Sequence, residues 1–169
     1  PPGGVAFSGT LDRTAVLLGS DGIVRTELVV RAPDGPAGTR RRVPTDLVVV
    51  LDRSGSMSGA KIEDAKSAVR ELISMLGPED RFALVTYASD ARVDVPLAPA
   101  LPASREAWAA AVSLLRSSTN TNMSWGLDLG IAELSRSRRA GSATRLILIS
   151  DGLANEGDSS HEGLVARAR

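Results

Sequence analysis

The sequence contains no cysteine, which excludes disulfides, thiolate zinc sites and cysteine nucleophiles and leaves the redox compartment open. Aromatic residues are scarce at 3%, so a core has to be built mainly from Val, Leu, Ile and Ala. Neither sign of charge is in excess. Lys and Arg total 20 and Asp and Glu total 20, which argues against a nucleic-acid binder. The run Arg40-Arg41-Arg42, just before Pro44, reads as a solvated connection rather than a basic patch. No stretch approaches the roughly 18 apolar residues of a membrane helix, and no signal-peptide pattern is visible. Pro1-Pro2-Gly3-Gly4 reads as the start of a mature or trimmed chain. His161 is the only histidine and stands without a base partner and nucleophile, so it is expected to be a surface residue.

What is present fits one sizeable domain with a small appendage: 169 residues, 43% of them hydrophobic. Residues 1–44 read as the appendage. Two β-type runs, Thr14–Leu18 and Ile23–Val30, flank the turn-rich Gly19-Ser20-Asp21-Gly22 and predict a hairpin, followed by a Pro- and Gly-rich loop. Residues 45–169 alternate strands and helices. Leu47–Leu51 is a continuous apolar run, as in a parallel strand covered on both faces. A helix follows over about 60–76, with Ile62, Ala65, Val69, Leu72, Ile73 and Leu76 on one stripe and Gly77-Pro78 as its stop. Phe82–Tyr87 is a second strand and Ala91–Val95 a short edge candidate. Ser104 is expected to cap a helix that buries Trp108, Val112 and Leu115. Another helix spans about 123–135, with Trp125 expected to pack inside and the rim of a site at the helix start as the alternative, and Arg145–Ile149 is a further buried strand. Ser159 with Glu162 forms a capping-box pattern for a last helix. The fold class is α/β, with a doubly wound, mostly parallel sheet. In such sheets ligands bind beyond the carboxyl ends of the strands.

The polar residues gather at those ends. Asp52-Arg53-Ser54-Gly55-Ser56 follows the first strand of the domain, Ser150-Asp151-Gly152 follows the strand at 145–149, and Ser118–Asn122 enters a helix between them. Two carboxylates and three hydroxyls are hard oxygen donors suited to Mg²⁺, Mn²⁺ or Ca²⁺ rather than zinc. Two carboxylates only neutralise a dication, and hydroxyls are weak ligands, so such an ion keeps a position open for an outside oxygen. Removal of Asp52 is expected to spare the fold, because it also relieves repulsion from Asp151.

Asp52-Arg53-Ser54-Gly55-Ser56 resembles the Asp-x-Ser-x-Ser motif of von Willebrand factor type A (vWA) domains, the metal-ion-dependent adhesion site found also in integrin inserted domains. Thr119 stands at the position of the family's metal-site threonine and Asp151 at that of its last aspartate. The flanks Val48–Leu51 and Asp80–Val85 fit as well. The resemblance implies a Rossmann-like vWA fold over 45–169 and a metal site of Asp52, Ser54, Ser56, Thr119 and Asp151. It implies a divalent cation, Mg²⁺ foremost with Mn²⁺ or Ca²⁺ as alternatives, and a protein partner that offers an Asp or Glu. It implies no enzyme activity. The family fold has about six strands, so the domain is expected to be C-terminally incomplete, with the strand at 145–149 an open edge completed by further chain or another polypeptide. An extracytoplasmic setting is favoured, whether periplasmic, secreted or cell-surface.

Two other functions compete. One is a structural or assembly domain with a merely stabilising metal. The other is an aspartyl phosphotransferase with Asp52 as nucleophile. That chemistry calls for an acid where Ser54 stands and for a lysine near the phosphate, and no lysine follows Lys66. Arg53 is left open between a solvated side chain and a selector of acidic partners. Tyr87 and Ser89-Asp90 end a strand at the same sheet edge and are expected to form a simple loop, with a part in shaping the site as the alternative.

Overall fold

The structure, a computed structural model of the chain, describes residues 6–11, 26–31, 42–136, 138–152, 157 and 160–167. They fall into two compact units, residues 1–42 and 43–169. In the first, β1 (Ala6–Leu11) and β2 (Thr26–Arg31) pair antiparallel, from Ala6 opposite Arg31 to Leu11 opposite Thr26. An antiparallel strand pair is therefore present, formed by Ala6–Leu11 and Thr26–Arg31. The predicted strand at 14–18 and its turn at 19–22 lie outside the described residues.

The second unit is built on β3 (Thr45–Asp52), β4 (Arg81–Tyr87), β5 (Ala91–Pro99) and β6 (Ala143–Ile149), in the order β5-β4-β3-β6. β3 runs parallel to β4 and β6, and β5 returns antiparallel to β4. The sheet is thus mixed and mostly parallel. β5 is longer than the predicted edge and carries register shifts along its pairing with β4, beside a segment that includes Pro96. α1 (Ala60–Met75) crosses from β3 to β4. α2 (Pro102–Leu114) and α3 (Met123–Arg136) lead from β5 to β6, and α4 (His161–Arg167) follows.

Alternation along the central strands sends side chains to two cores. Leu47, Val49 and Leu51 pack with Ile62, Val69 and Ile73 of α1 and Trp108 and Val112 of α2. Val48 and Val50 pack with Met123 and Leu127 of α3 on the other face, where Leu164 of α4 joins them. α3 reaches the sheet through glycines. A Cβ at Gly130 would lie 2.6 Å from Val50 Cγ2, and one at Gly126 2.6 Å from the Tyr87 ring. Two helix starts differ from the reading of the sequence. α2 begins at Pro102, whose fixed φ suits the first helical position, so Ser104 lies inside the first turn. At α4 the cap is Ser160, whose Oγ accepts from Gly163 N at 3.0 Å, and Ser159 lies outside the described residues. The His161 side chain is also outside them.

At the amino end of the parallel strands, the buried Asp46 binds three neighbours. Arg81 donates to both its oxygens at 2.8 and 2.7 Å, Ser142 donates at 2.8 Å and Arg139 at 3.1 Å. The Arg81 guanidinium holds the Asp46 carboxyl below its ordinary range. Its contribution is therefore full above the unfolded value of about 4 and is lost as pH falls through the lower folded value.

Three outcomes follow for urea unfolding. Gly130→Val should cost about 3 kcal/mol by overpacking α3 against Val50. Gly152→Ala, where a Cβ meets nothing within 4 Å, should stay within about 0.5 kcal/mol. Asp46→Ala should cost about 2 kcal/mol at neutral pH, because the half-buried Arg81 and the Ser142 hydroxyl lose their acceptor, and the gap to the parent should narrow below about pH 4. A gap that does not change in acid contradicts the ion-pair reading.

Candidate metal centre

β3, β4 and β6 end at one edge of the sheet, so the loops after them meet. Four backbone hydrogen bonds lock the loops after β3 and β4 to the connection between α2 and α3. Arg53 N donates to Tyr87 O at 2.8 Å and Ser118 N to Arg53 O at 2.6 Å. Gly55 N donates to Thr119 O at 2.7 Å and Asn122 N to Ala88 O at 2.7 Å. Glycine is needed at 55 for this approach rather than for a left-handed turn, since a Cβ there would press on the Ser118 and Thr119 carbonyls at 3.2 and 3.3 Å.

The Ser54, Ser56 and Asp151 side chains form one hydrogen-bonded chain, and the Asp52 carboxylate joins it through the Ser54 amide. The fully buried Asp52 accepts from Ser54 N at 2.8 Å through Oδ1. Ser54 Oγ and Ser56 Oγ are 3.0 Å apart, and Ser56 Oγ donates to Asp151 Oδ1 at 2.8 Å. Thr119 is brought in through its backbone bond to Gly55. Its exposed side chain makes no hydrogen bond to the other four among the described contacts.

Two participants, Ser150 and Lys61, escape the reading of the sequence, and a third, Tyr87, enters it only as the alternative to a simple loop. Asp52 Oδ2 accepts from Ser150 Oγ at 2.7 Å and from Tyr87 OH at 3.3 Å. Tyr87 is therefore part of the site rather than of a simple loop. Burial, with the neighbouring Asp52 carboxylate, pushes its hydroxyl well above the ordinary phenol range. Lys61, in the first turn of α1, pairs with Asp151 Oδ2, and that ammonium holds the Asp151 carboxyl below the usual range. The pattern around Tyr87 hid its role because a tyrosine at a strand end, followed by Ser89-Asp90, reads as the start of a loop. Lys61 was hidden because its partner, Asp151, lies ninety residues away in sequence.

Two expectations fail. Arg53 is neither solvated nor turned outward: it is buried and its guanidinium pairs with Asp90. Trp125 does not pack inside but is 51% exposed in the first turn of α3. The case against a phosphotransferase also changes, since a lysine does reach the site. Asp52 is nonetheless buried with both oxygens hydrogen-bonded, which is not the setting of an accessible nucleophile.

The donor set suits a divalent cation. Asp52 is a buried carboxylate with no cationic partner among the described residues. Beside it lie two hydroxyls and a second carboxylate within one chain of contacts. Among the described residues no group of three or more His, Cys, Asp or Glu side chains gathers, so any such ion has to draw on hydroxyls.

The von Willebrand factor type A domain family matches residues 46–169. The chain belongs to this family. As a vWA domain it is 31% identical over 133 residues to inter-alpha-trypsin inhibitor heavy chain H3 of Rattus norvegicus, covering 75% of this chain and 15% of that protein. It is 33% identical over 119 residues to an uncharacterized protein of Synechocystis, covering 70% of this chain and 28% of that protein. The chain thus spans well under a third of either relative. Among solved structures it is similar to a von Willebrand factor type A protein from Catenulispora acidiphila, with TM-score 0.65, 25% identity, and 95% of this chain and 36% of that one covered. It is also similar to the vWF domain of the type V pili tip protein Mfa5 from Porphyromonas gingivalis, with TM-score 0.59, 25% identity, and 68% and 40% covered. Among the described residues no helix is long and apolar enough to cross a membrane.

Removal of Asp52 should not spare the fold, contrary to what charge repulsion alone implies. Asp52→Ala leaves the Ser54 amide and the Tyr87 and Ser150 hydroxyls without their acceptor, at a cost of about 2 kcal/mol in chelator. Tyr87→Phe and Ser150→Ala should each cost about 1 kcal/mol under the same conditions. Unchanged urea midpoints in all three variants would contradict the network.

Proposed function

We propose that this vWA domain is a protein-binding module, not an enzyme, and that it works through a metal-ion-dependent adhesion site. Ser54, Ser56 and Thr119 would hold a divalent cation, Mg²⁺ in the first place, with Asp52 and Asp151 balancing its charge. When bound, the cation offers a coordination position to a carboxylate oxygen of a partner protein. The observation that carries this reading is the buried Asp52 at the strand end, without a cationic partner among the described residues and linked to Ser54, Ser56 and Asp151. Loops already fixed by backbone bonds cost little ordering on binding. The likeness to a pilus-tip domain supports an adhesive or assembly role and an extracytoplasmic setting.

The open edge of the sheet bears on partners as well. Among the described residues β6 pairs only with β3, and Leu148 is 38% exposed while the strands inside the sheet are buried. We propose that another strand, from further chain or another polypeptide, covers this edge. Slow exchange of the outward β6 amides in the 169-residue chain alone would refute that.

The metal reading predicts that millimolar Mg²⁺ or Mn²⁺ raises the melting temperature by about 2–8 °C. Ser54→Ala and Thr119→Ala should remove that rise, and chelator should release a captured acidic partner. A melting temperature indifferent to both ions, together with chelator-resistant capture, sinks the proposal and favours a structural domain.

A further inference from the structure

Lys61 is an anomaly by its local surroundings. It is one of only two lysines in the chain. It sits in the first turn of α1, where the helix dipole disfavours a cation. Nothing in α1 holds it there, since its recorded partner is Asp151, ninety residues away. Gly59 aims it. With φ at 77°, Gly59 takes a conformation that other residues avoid, although a Cβ there would meet nothing within 4 Å, and the helix that begins at Ala60 is turned back over the site. Lys61 remains 57% exposed, so it is free to leave.

The charges at this spot do not close without a swap. Asp52 and Asp151 bring two negative charges and Lys61 one positive, a sum of −1. A dication changes the sum to +1, and one partner carboxylate returns it to zero. Asp151 Oδ1 already accepts from Ser56 and Oδ2 from Lys61. An ion that draws on Asp151 therefore meets the ammonium as a competitor for the same carboxylate.

We propose that Lys61 is a built-in competitor of the divalent cation, which leaves Asp151 when the cation enters and is then available to pair with the partner's carboxylate. This rests on the metal-site reading above. Lys61 weakens the bare ion's hold and raises the positive charge offered to an acidic partner. It thereby makes cation and partner binding depend on each other.

The test uses the whole chain and Mn²⁺ as probe, titrated by calorimetry or electron paramagnetic resonance at low ionic strength. Lys61→Gln should bind Mn²⁺ about fivefold more tightly than the parent, the scale of an exposed ion pair, and Lys61→Arg should match the parent. The gap should close in about 1 M salt. Melting supplies a second readout with opposite signs. In chelator Lys61→Gln should melt at or below the parent, because Asp151 has lost its counter-ion, whereas in saturating Mn²⁺ it should melt at or above it. Equal or weaker Mn²⁺ binding by Lys61→Gln, with binding still abolished by Ser54→Ala, overturns the role of Lys61 alone. No Mn²⁺ binding by parent or Lys61→Gln, or binding that survives Ser54→Ala, overturns the metal site as well.

Discussion

A carboxylate buried at the end of a strand, without a cationic neighbour among the described residues, has to be balanced by hydrogen bonds, and Asp52 imposes that requirement on three elements at once. The Ser54 amide comes from its own loop, the Tyr87 hydroxyl from the end of β4 and the Ser150 hydroxyl from the end of β6. Those donors reach one point only because β4 and β6 flank β3 in parallel register, with Asp52 opposite Tyr87 and Leu51 opposite Ile149. Fold and site are therefore one constraint. The same parallel order that buries Val48–Leu51 on both faces brings the loop ends together, and four interloop backbone bonds hold them.

The opposite end of the sheet carries a different balance. Asp46 is buried too, but two arginines answer it directly. The contrast between these two aspartates of one strand separates a carboxylate whose charge is spent within the protein from one whose charge is left for something else. Asp46 has salt bridges and a depressed carboxyl, the marks of a structural clamp. Asp52 has neutral donors and neighbouring hydroxyls, the surroundings on which the proposed cation site rests.

Much of this was readable from residue pattern because the central strands are continuous apolar runs and the helices carry clear stripes, and because Asp52, Ser54 and Ser56 lie close together on the chain. What escaped depends on long-range geometry. Tyr87 looks like the start of a loop until β4 is set beside β3. Lys61 looks like a solvated helix residue until Gly59 turns α1 over Asp151. Arg53 was open between two exposed roles because its partner, Asp90, lies across a neighbouring loop. Trp125 was misread because apolar character suggests burial, whereas the close packing of α3 uses Gly126 and Gly130 instead.

The central claim is that Ser54, Ser56, Thr119, Asp52 and Asp151 surround one cation. Anomalous diffraction from crystals grown in Mn²⁺ tests it most directly. A single strong peak beside the Ser54 and Ser56 hydroxyls, with Thr119 turned toward it and Lys61 withdrawn from Asp151, is the predicted result. Peaks only elsewhere on the surface, with Ser56 and Lys61 still both bound to Asp151 at saturating Mn²⁺, would contradict it.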